Sequence, residues 1–565
     1  MTAILFIFFG LIGIIIVIVL GWLRKVSTRK KIDRIRKSWG KPKTESFDFY
    51  QIRKYSQADP DISFHRLSEQ TISDLNLCDL FACIDRTTSK VGQQYLFNKI
   101  TTPSDQTADQ AEKLIHHFST DEELRTEVQF DLLKLGGYGA YFISSLLGGG
   151  FLERPKWFFL LFVDLAIVML LLILSFAFPV FVLPLIVLFS FNVLLHYGNK
   201  SNVAQFAWSF PQLGNLMDTS KQLMRRGGLF YEKSVSDSLS NLVSFQNRVR
   251  LIQLHGHDSF PSEIVQLGSY FSELIKAVFL IEVLALYWIT KSLEQRTASI
   301  RTLFNYVGAI DCALSVASLR AGAIKTCIPT LTSGAKSLHA KGIFHPLIEA
   351  CVKNDLTVHG KGVLITGSNM SGKSTFLRTL TINSILAQTI HTCFADEFIS
   401  PILKQFTSIQ MTDSLSDGRS LYFQEVALMA SWMDEAALPG QSLFVLDEVF
   451  KGTNTIERIA AAKAVLSYLN QHQNLVVVST HDLELAHLLG NEFDVYHFAE
   501  HVDNQELFFD HTLKPGPVQT QNAIRILELF RFPPKVISEA RMLATDLIKT
   551  RNENDRQNSA AGFTA

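Results

Sequence analysis

Cysteine is scarce and scattered. The 565-residue chain holds six (Cys78, Cys83, Cys312, Cys327, Cys351 and Cys393), with no Cys-x-x-Cys pair among them. Such spacing supports neither a disulfide framework nor a zinc site, and it fits a reducing compartment. Net charge is missing too. Lys plus Arg and Asp plus Glu each number 53, so the global balance points to no acidic partner. What the chain has in excess is apolar residues, 47% of the total with a positive mean hydropathy, which is high for a soluble protein. The length allows roughly two to four domains, each with a sizeable core.

The apolar excess is concentrated. Residues 4–23 form an uncharged apolar run of 20 residues, about 30 Å as a helix, which matches the hydrocarbon core of a bilayer. A cleaved leader fits less well, because no basic residue precedes the run and no small-x-small site follows it. Arg24, Lys25, Arg29, Lys30, Lys31, Arg34, Arg36 and Lys37 come next, with Asp33 the only acid among them. By the positive-inside rule this basic stretch stays cytoplasmic. Residues 157–176 and 178–197 are two further apolar runs separated by Ala177, with Pro179 and Pro184 breaking helical continuity between them. They predict a transmembrane helical hairpin with both ends cytoplasmic, and hence a multi-pass protein of the cell membrane. Asp164 lies inside the first leg, where a charge is costly, and a neutral or interface-facing carboxyl is expected. Residues 277–290 are too short to span and contain Glu282, so they read as a buried core helix.

Around the hairpin, residues 73–100, 110–135, 235–254 and 261–293 carry apolar side chains at three- and four-residue spacing, the pattern of amphipathic helices. After about residue 330 the texture changes. Short β-branched runs at 362–366, 443–446, 475–479 and 495–498 alternate with helical segments, as in an α/β domain with a mostly parallel sheet. Past Thr550 the tail is polar, and disorder is expected.

The chemistry lies in that second half. Gly367, Ser368, Asn369, Met370, Ser371, Gly372, Lys373, Ser374 and Thr375 fit the G-x-x-x-x-G-K-[ST] phosphate loop between a strand and a helix. Backbone N–H groups and a helix start would wrap the phosphates, Lys373 would reach the β- and γ-phosphates, and Ser374 would ligate Mg²⁺. The strand 442–447 ends in Asp447, a second candidate Mg²⁺ ligand, followed by Glu448, placed to orient the attacking water. Another apolar strand delivers His481, which, if neutral, could hydrogen-bond the γ-phosphate; a capping or core histidine is the plain alternative. Between them, Asp413 to Ser420 opens a helix whose start would suit the γ-phosphate of a nucleotide held by a second subunit, with N-capping by Ser420 the simpler role.

These motifs, with Thr366, the Asp413–Ser420 segment, Asp447 to Thr455 and Ser479 to His481 in that order, resemble the ATPase domain of MutS mismatch-repair proteins. Asn369-Met370 and the Gly452-Thr453-Asn454-Thr455 stretch set it apart from ordinary ABC transporter ATPases, with Asn454 standing where that family usually has serine. Residues 80–92 resemble the opening of the MutS helical core, and 514–540 the helix-turn-helix that closes MutS dimers. Nothing here corresponds to the Phe-x-Glu wedge domain that reads mismatches. Hydropathy and the resemblance together give a layout of several domains: a transmembrane anchor at 1–23 and a basic linker at 24–75 from the apolar run and the charges, and from the resemblance an all-α MutS-like core at 76–156 and 198–330, interrupted by the hairpin at 157–197. An α/β P-loop ATPase domain of ABC type follows at 331–513, then a helix-turn-helix dimerisation segment at 514–548 and a tail at 549–565. It implies an ATP hydrolase using ATP and Mg²⁺, a homodimer with Ser420 contacting phosphate in trans, and duplex or branched DNA as a partner. The alternative is a MutS-derived membrane signalling or remodelling ATPase indifferent to DNA.

Overall fold

The computed structural model describes residues 2–59, 64–105, 109–148, 158–198, 200–250, 274–275, 277–280, 284, 293–334, 336–368, 370–410, 421–438, 441–451, 453–503, 506–517, 524, 527–528 and 530–544. The chain divides into two compact units, residues 1–66 with 78–325, and residues 67–77 with 326–565.

The first unit is helical. Helix α1 (Thr2–Ser38) is continuous, so the apolar run and the basic stretch share one axis. Its C-terminal end is held in place: Ile35 is buried, Arg36 pairs with Glu122 at 3.5 Å, and Arg125 lies 4.4 Å from the Trp39 ring centroid. After α2 (Phe49–Ala58), the single helix expected over 73–100 is broken into α3 (Glu69–Asp74), α4 (Leu77–Ile84) and α5 (Lys90–Thr101). The break at 85–89 has a polar cause that spacing alone conceals. Asp85 accepts the Thr87 N–H at 2.8 Å and the Gln93 amide at 2.6 Å, and Ser89 caps α5 by accepting the Gly92 N–H at 2.8 Å. The helix expected over 110–135 likewise splits, into α6 (Asp109–Thr120) and α7 (Glu122–Leu132), because Asp121 caps the second by accepting the Leu124 N–H.

Two legs of the expected hairpin follow as α8 (Phe158–Ala177) and α9 (Val182–Gly198). Pro179 opens a short 3₁₀ turn, Pro179–Phe181, while Pro184 sits in the first turn of α9, where a missing N–H costs nothing. Phe159, Leu170, Ile173, Phe176, Leu183, Val187 and Leu194 are all exposed, an outward apolar surface of the kind that marks a membrane or partner contact. Asp164 finds its partner across the hairpin: the Asn192 amide donates to it at 2.8 Å and to the Val278 carbonyl at 2.9 Å. In the described part of 277–290, Ala277, Val278 and Leu280 are buried as expected, and Leu280 and Leu284 pack against Phe158, Leu161 and Leu195 of the hairpin.

The unit continues through α10 (Lys200–Met224), α11 (Lys233–Arg250) and α12 (Thr297–Arg320). Among the described residues α8, the stretch Pro179–Gly198 and α12 are long and apolar enough to cross a membrane by length and composition. The first two are mostly exposed, whereas α12 is mostly buried inside the unit and forms its core. Asp311 on α12 accepts the Thr88 and Ser89 N–H groups at 2.8 and 2.7 Å, tying the 85–89 loop to that core. Burial pushes its carboxyl up to about 6 against the pull of those donors.

The second unit holds two sheets. Strands β1 (Thr330–Thr332), β2 (Ser337–Ile343) and β3 (Asn354–His359) join β5 (Glu397–Pro401) in the order β1-β5-β2-β3. The larger sheet comprises β4 (Gly362–Thr366), β6 (Lys404–Ser408), β7 (Ser442–Asp447), β8 (Leu475–Thr480), β9 (Phe493–Asp503) and β10 (Glu506–Pro515). Its order is β10-β9-β4-β8-β7-β6, parallel throughout except for the β10–β9 edge pair. The four expected strand runs all lie in this sheet. β4, β7 and β8 are buried almost end to end, as strands covered on both faces must be. Helices α13 (Lys373–Thr389), α14 (Leu421–Ala436), α15 (Thr455–Leu469) and α16 (Leu483–Leu489) pair with these strands, and Trp432, Phe406 and Phe444 form a ring cluster beside β7.

Residues 67–77 belong to this unit, although the sequence placed most of them in a linker. Buried Asp74 accepts the Thr407 hydroxyl at 2.7 Å and the Ile409 and Gln410 N–H groups at 2.9 Å each, and Arg378 of α13 donates to its carbonyl. Those bonds fix the chain as it leaves β6.

Candidate functional site

Parallel strands leave their C-terminal ends along one edge of a sheet, and ligands of α/β domains bind there. Here β4, β8 and β7 are neighbours, with Thr366 opposite Thr480 and Asp447 opposite Ser479. That register brings the phosphate loop, Asp447, Glu448 and His481 to one edge, though 114 residues separate the first from the last.

The loop needs its two glycines. Gly367 has φ +141°, and a Cβ there would lie 2.8 Å from the Phe498 carbonyl oxygen; Gly372 has φ +110°. Both conformations are strained for any other residue. Gly372 is the N-cap of α13 and offers no side chain to the first-turn N–H groups, so the helix start is free to receive an anion. Lys373 is buried, and its ammonium donates to the Gly367 and Ser368 carbonyls at 2.6 and 2.9 Å. Burial lowers its pKa, with Asp447 and Glu448 pulling the other way. The Ser371 hydroxyl donates to the Ser368 carbonyl at 2.8 Å, Thr375 lies in the first turn of α13, and Met370 is exposed. Asn369 lies outside the described residues.

Asp447 receives two hydroxyls, from Ser374 and from Ser479. A hydroxyl and a carboxylate in contact at the start of α13 are a hard oxygen donor set, and they fit a divalent cation such as Mg²⁺. Glu448 follows with φ +57°, its N–H fixed on the Ser479 carbonyl at 2.9 Å. Its carboxylate takes His481 Nδ1 at 3.1 Å and the Lys451 ammonium at 3.3 Å. The bond from His481 draws the Glu448 pKa down to about 2, and the same bond raises that of His481. The ring therefore keeps its proton to a higher pH than a free imidazole.

Three contributors were not foreseen. Lys451 closes the acid side of the site. Arg458 of α15 makes a two-point ion pair with Asp482, at 3.1 and 2.8 Å, and so steadies the turn that carries His481. His511, on the irregular part of the β10–β9 pair, donates from Nδ1 to the Ser371 carbonyl at 3.0 Å. Asn354 of β3 holds that bulge by bonding His511 O and Leu513 N. No local signal marks a residue brought to the loop by antiparallel edge pairing. Asn454 caps α15, accepting the Glu457 N–H at 3.0 Å, a role serine would also fill. Ser420 and the rest of 411–420 lie outside the described residues.

Comparison with known proteins bears on this geometry. Residues 363–548 match the model of MutS domain V. The DNA mismatch repair protein MutS of Thermus thermophilus is 33% identical over 211 residues, 37% of this chain and 26% of the relative. That of Natronomonas pharaonis is 26% identical over 354 residues, 61% of this chain and 37% of the relative. That of Lactococcus lactis subsp. cremoris is 31% identical over 280 residues, 46% and 32% respectively. The chain thus spans only about a quarter to just over a third of the length of these relatives. Residues 363–548 thus match MutS domain V, and it is through that stretch that the chain is similar to the MutS proteins.

Proposed function

We propose that this chain is a membrane-anchored MutS-type ATPase that hydrolyses ATP with Mg²⁺, works as a homodimer and engages DNA. The observation that carries the reading is the convergence at one sheet edge of the phosphate loop, the Ser374–Asp447 pair and the Glu448–His481 pair. Mg²⁺, held by Ser374 and Asp447, would supply positive charge to the phosphates. Lys373 would exchange its loop carbonyls for phosphate oxygens, a swap that its buried position strengthens. Glu448, held anionic by His481, is a weak proton acceptor, so its work is to orient the attacking water; His481 holds a proton beside it. Ser420 would complete the site of a partner subunit from the start of α14. The membrane part of the reading rests on the outward apolar faces of α8 and α9 and on the run at 4–23, and it puts the ATPase unit at the cytoplasmic face.

The DNA part rests on the curated relatives being named DNA mismatch repair proteins. The test is the ATPase rate of the detergent-solubilised protein with homoduplex, mismatched or branched DNA and without DNA. Stimulation that fades steeply with salt supports DNA engagement. A rate indifferent to all three, but responsive to lipid, replaces it with a membrane signalling or remodelling ATPase.

A further inference from the structure

We infer that Glu425 is a positioning residue for Glu448, a role that rests on the proposed hydrolysis at this site. Glu425 lies on α14 and is only 5% exposed. A buried carboxylate needs strong partners, and it finds them in the backbone that follows β7. The Phe450 N–H donates to Glu425 Oε1 at 2.5 Å, and the Lys451 N–H donates to the same carboxylate. One turn earlier on the same helix face, Tyr422 meets the Phe450 ring edge-on at 6.0 Å. Helix α14 therefore grips the 448–451 turn at a ring and at two N–H groups.

That turn does not hold itself. Glu448 (φ +57°) and Phe450 (φ +60°) both occupy the left-handed region, which costs a residue with a Cβ about 1 kcal/mol or more each. Such a conformation persists only where its surroundings impose it. Two anchors do so here. The Ser479 carbonyl accepts the Glu448 N–H at the near end, and the Glu425 carboxylate accepts at the far end. Remove the second and the residues after Glu448 can relax toward ordinary backbone angles, which swings both the Glu448 carboxylate and the Lys451 ammonium that pairs with it. The nucleotide loop, pinned by Gly367, Gly372 and His511, shares no hydrogen bond with Glu425 among the described residues and should keep its shape.

The inference separates kcat from binding. Glu425→Ala and Glu425→Gln, made in the full-length protein, are compared with wild type for Mg-ATP turnover, KM and equilibrium binding of a fluorescent ADP analogue, each also in a Glu448→Gln background. The expected result is a fall in kcat of about 10- to 100-fold for Glu425→Ala, the size that a misplacement near 1 Å produces. Glu425→Gln, which keeps one acceptor oxygen, falls less. KM and analogue affinity stay within about twofold, as they must if only the turn moves. In the Glu448→Gln background neither change lowers single-turnover rate further, because the group being positioned is already gone. An unchanged kcat overturns the inference, and so does a loss that multiplies with that of Glu448→Gln. If Glu425→Ala does not fold, Glu425→Gln decides by the same criteria. A wild-type protein without turnover sinks the hydrolysis reading itself, whereas wild-type turnover with unaffected variants sinks only the role of Glu425.

Discussion

Glu448 and His481 set each other's charge, and the sign of that coupling is testable. Unpaired, the two titrate near 4.5 and 6.5. Glu448 is drawn down, so its contribution to stability is complete above about 4.5 and fades as pH falls toward 2. His481 is drawn up, so its contribution is complete below about 6.5 and fades as pH rises through its higher folded value. The pair is strongest between those limits. His481 is more than half exposed, which keeps the effect small. Melting of His481→Ala relative to wild type should differ more at pH 6 than at pH 9; an equal gap at both contradicts the pairing. Lys373 makes a sharper case. Its ammonium is the one buried cation in the loop's grasp among the described residues, and Lys373→Ala removes a charge-assisted contact to phosphate. We expect nucleotide affinity to fall at least about 100-fold, equivalent to roughly 3 kcal/mol, read by titration of a fluorescent nucleotide. Affinity within a few-fold of wild type would remove Lys373 from phosphate binding.

At the scale of elements, close approach of backbones decides what sequence can tolerate. Helices α5 and α12 meet at Gly308, where a Cβ would stand 2.6 Å from the Tyr95 side chain. Gly92 is equally tight, with a Cβ 2.1 Å from Asp311 Oδ2. Gly308→Ala should lower the stability of the first unit by about 1–3 kcal/mol, seen as a lower denaturation midpoint, even though alanine is the better helix former. Unchanged or raised stability would mean that the helices part without cost. The same contacts show why the helical unit was the least legible part. Apolar periodicity located helices over 73–100 and 110–135 but passed through Asp85, Ser89 and Asp121, because a cap or a loop carboxylate leaves the apolar spacing on either side intact. The strands of the larger sheet were legible for the opposite reason. β4, β7 and β8 are buried almost end to end, and each appears as a short, mostly apolar run that ends where its chemistry begins.

Over the whole molecule, what local reading missed is what distant segments supply. Residues 67–77 join the second unit through Asp74, more than 300 positions from Thr407, and His511 reaches the glycine-bounded loop at 367–372 through an edge strand. Neither can be read from spacing. The apolar helical hairpin, by contrast, was plain in composition, with its outward apolar faces and the Asp164–Asn192 bond closing it from within. A protein built this way should stay with the membrane pellet through an alkaline carbonate wash and be released only by detergent; recovery in the carbonate supernatant would contradict a spanning hairpin.

The central claim is that these motifs form one hydrolytic site, and Glu448→Gln tests it most directly. Mg-ATP turnover of the full-length protein in detergent should fall by about 100- to 1,000-fold, while nucleotide binding remains and a nucleotide-bound dimer accumulates. Turnover equal to wild type would contradict the account.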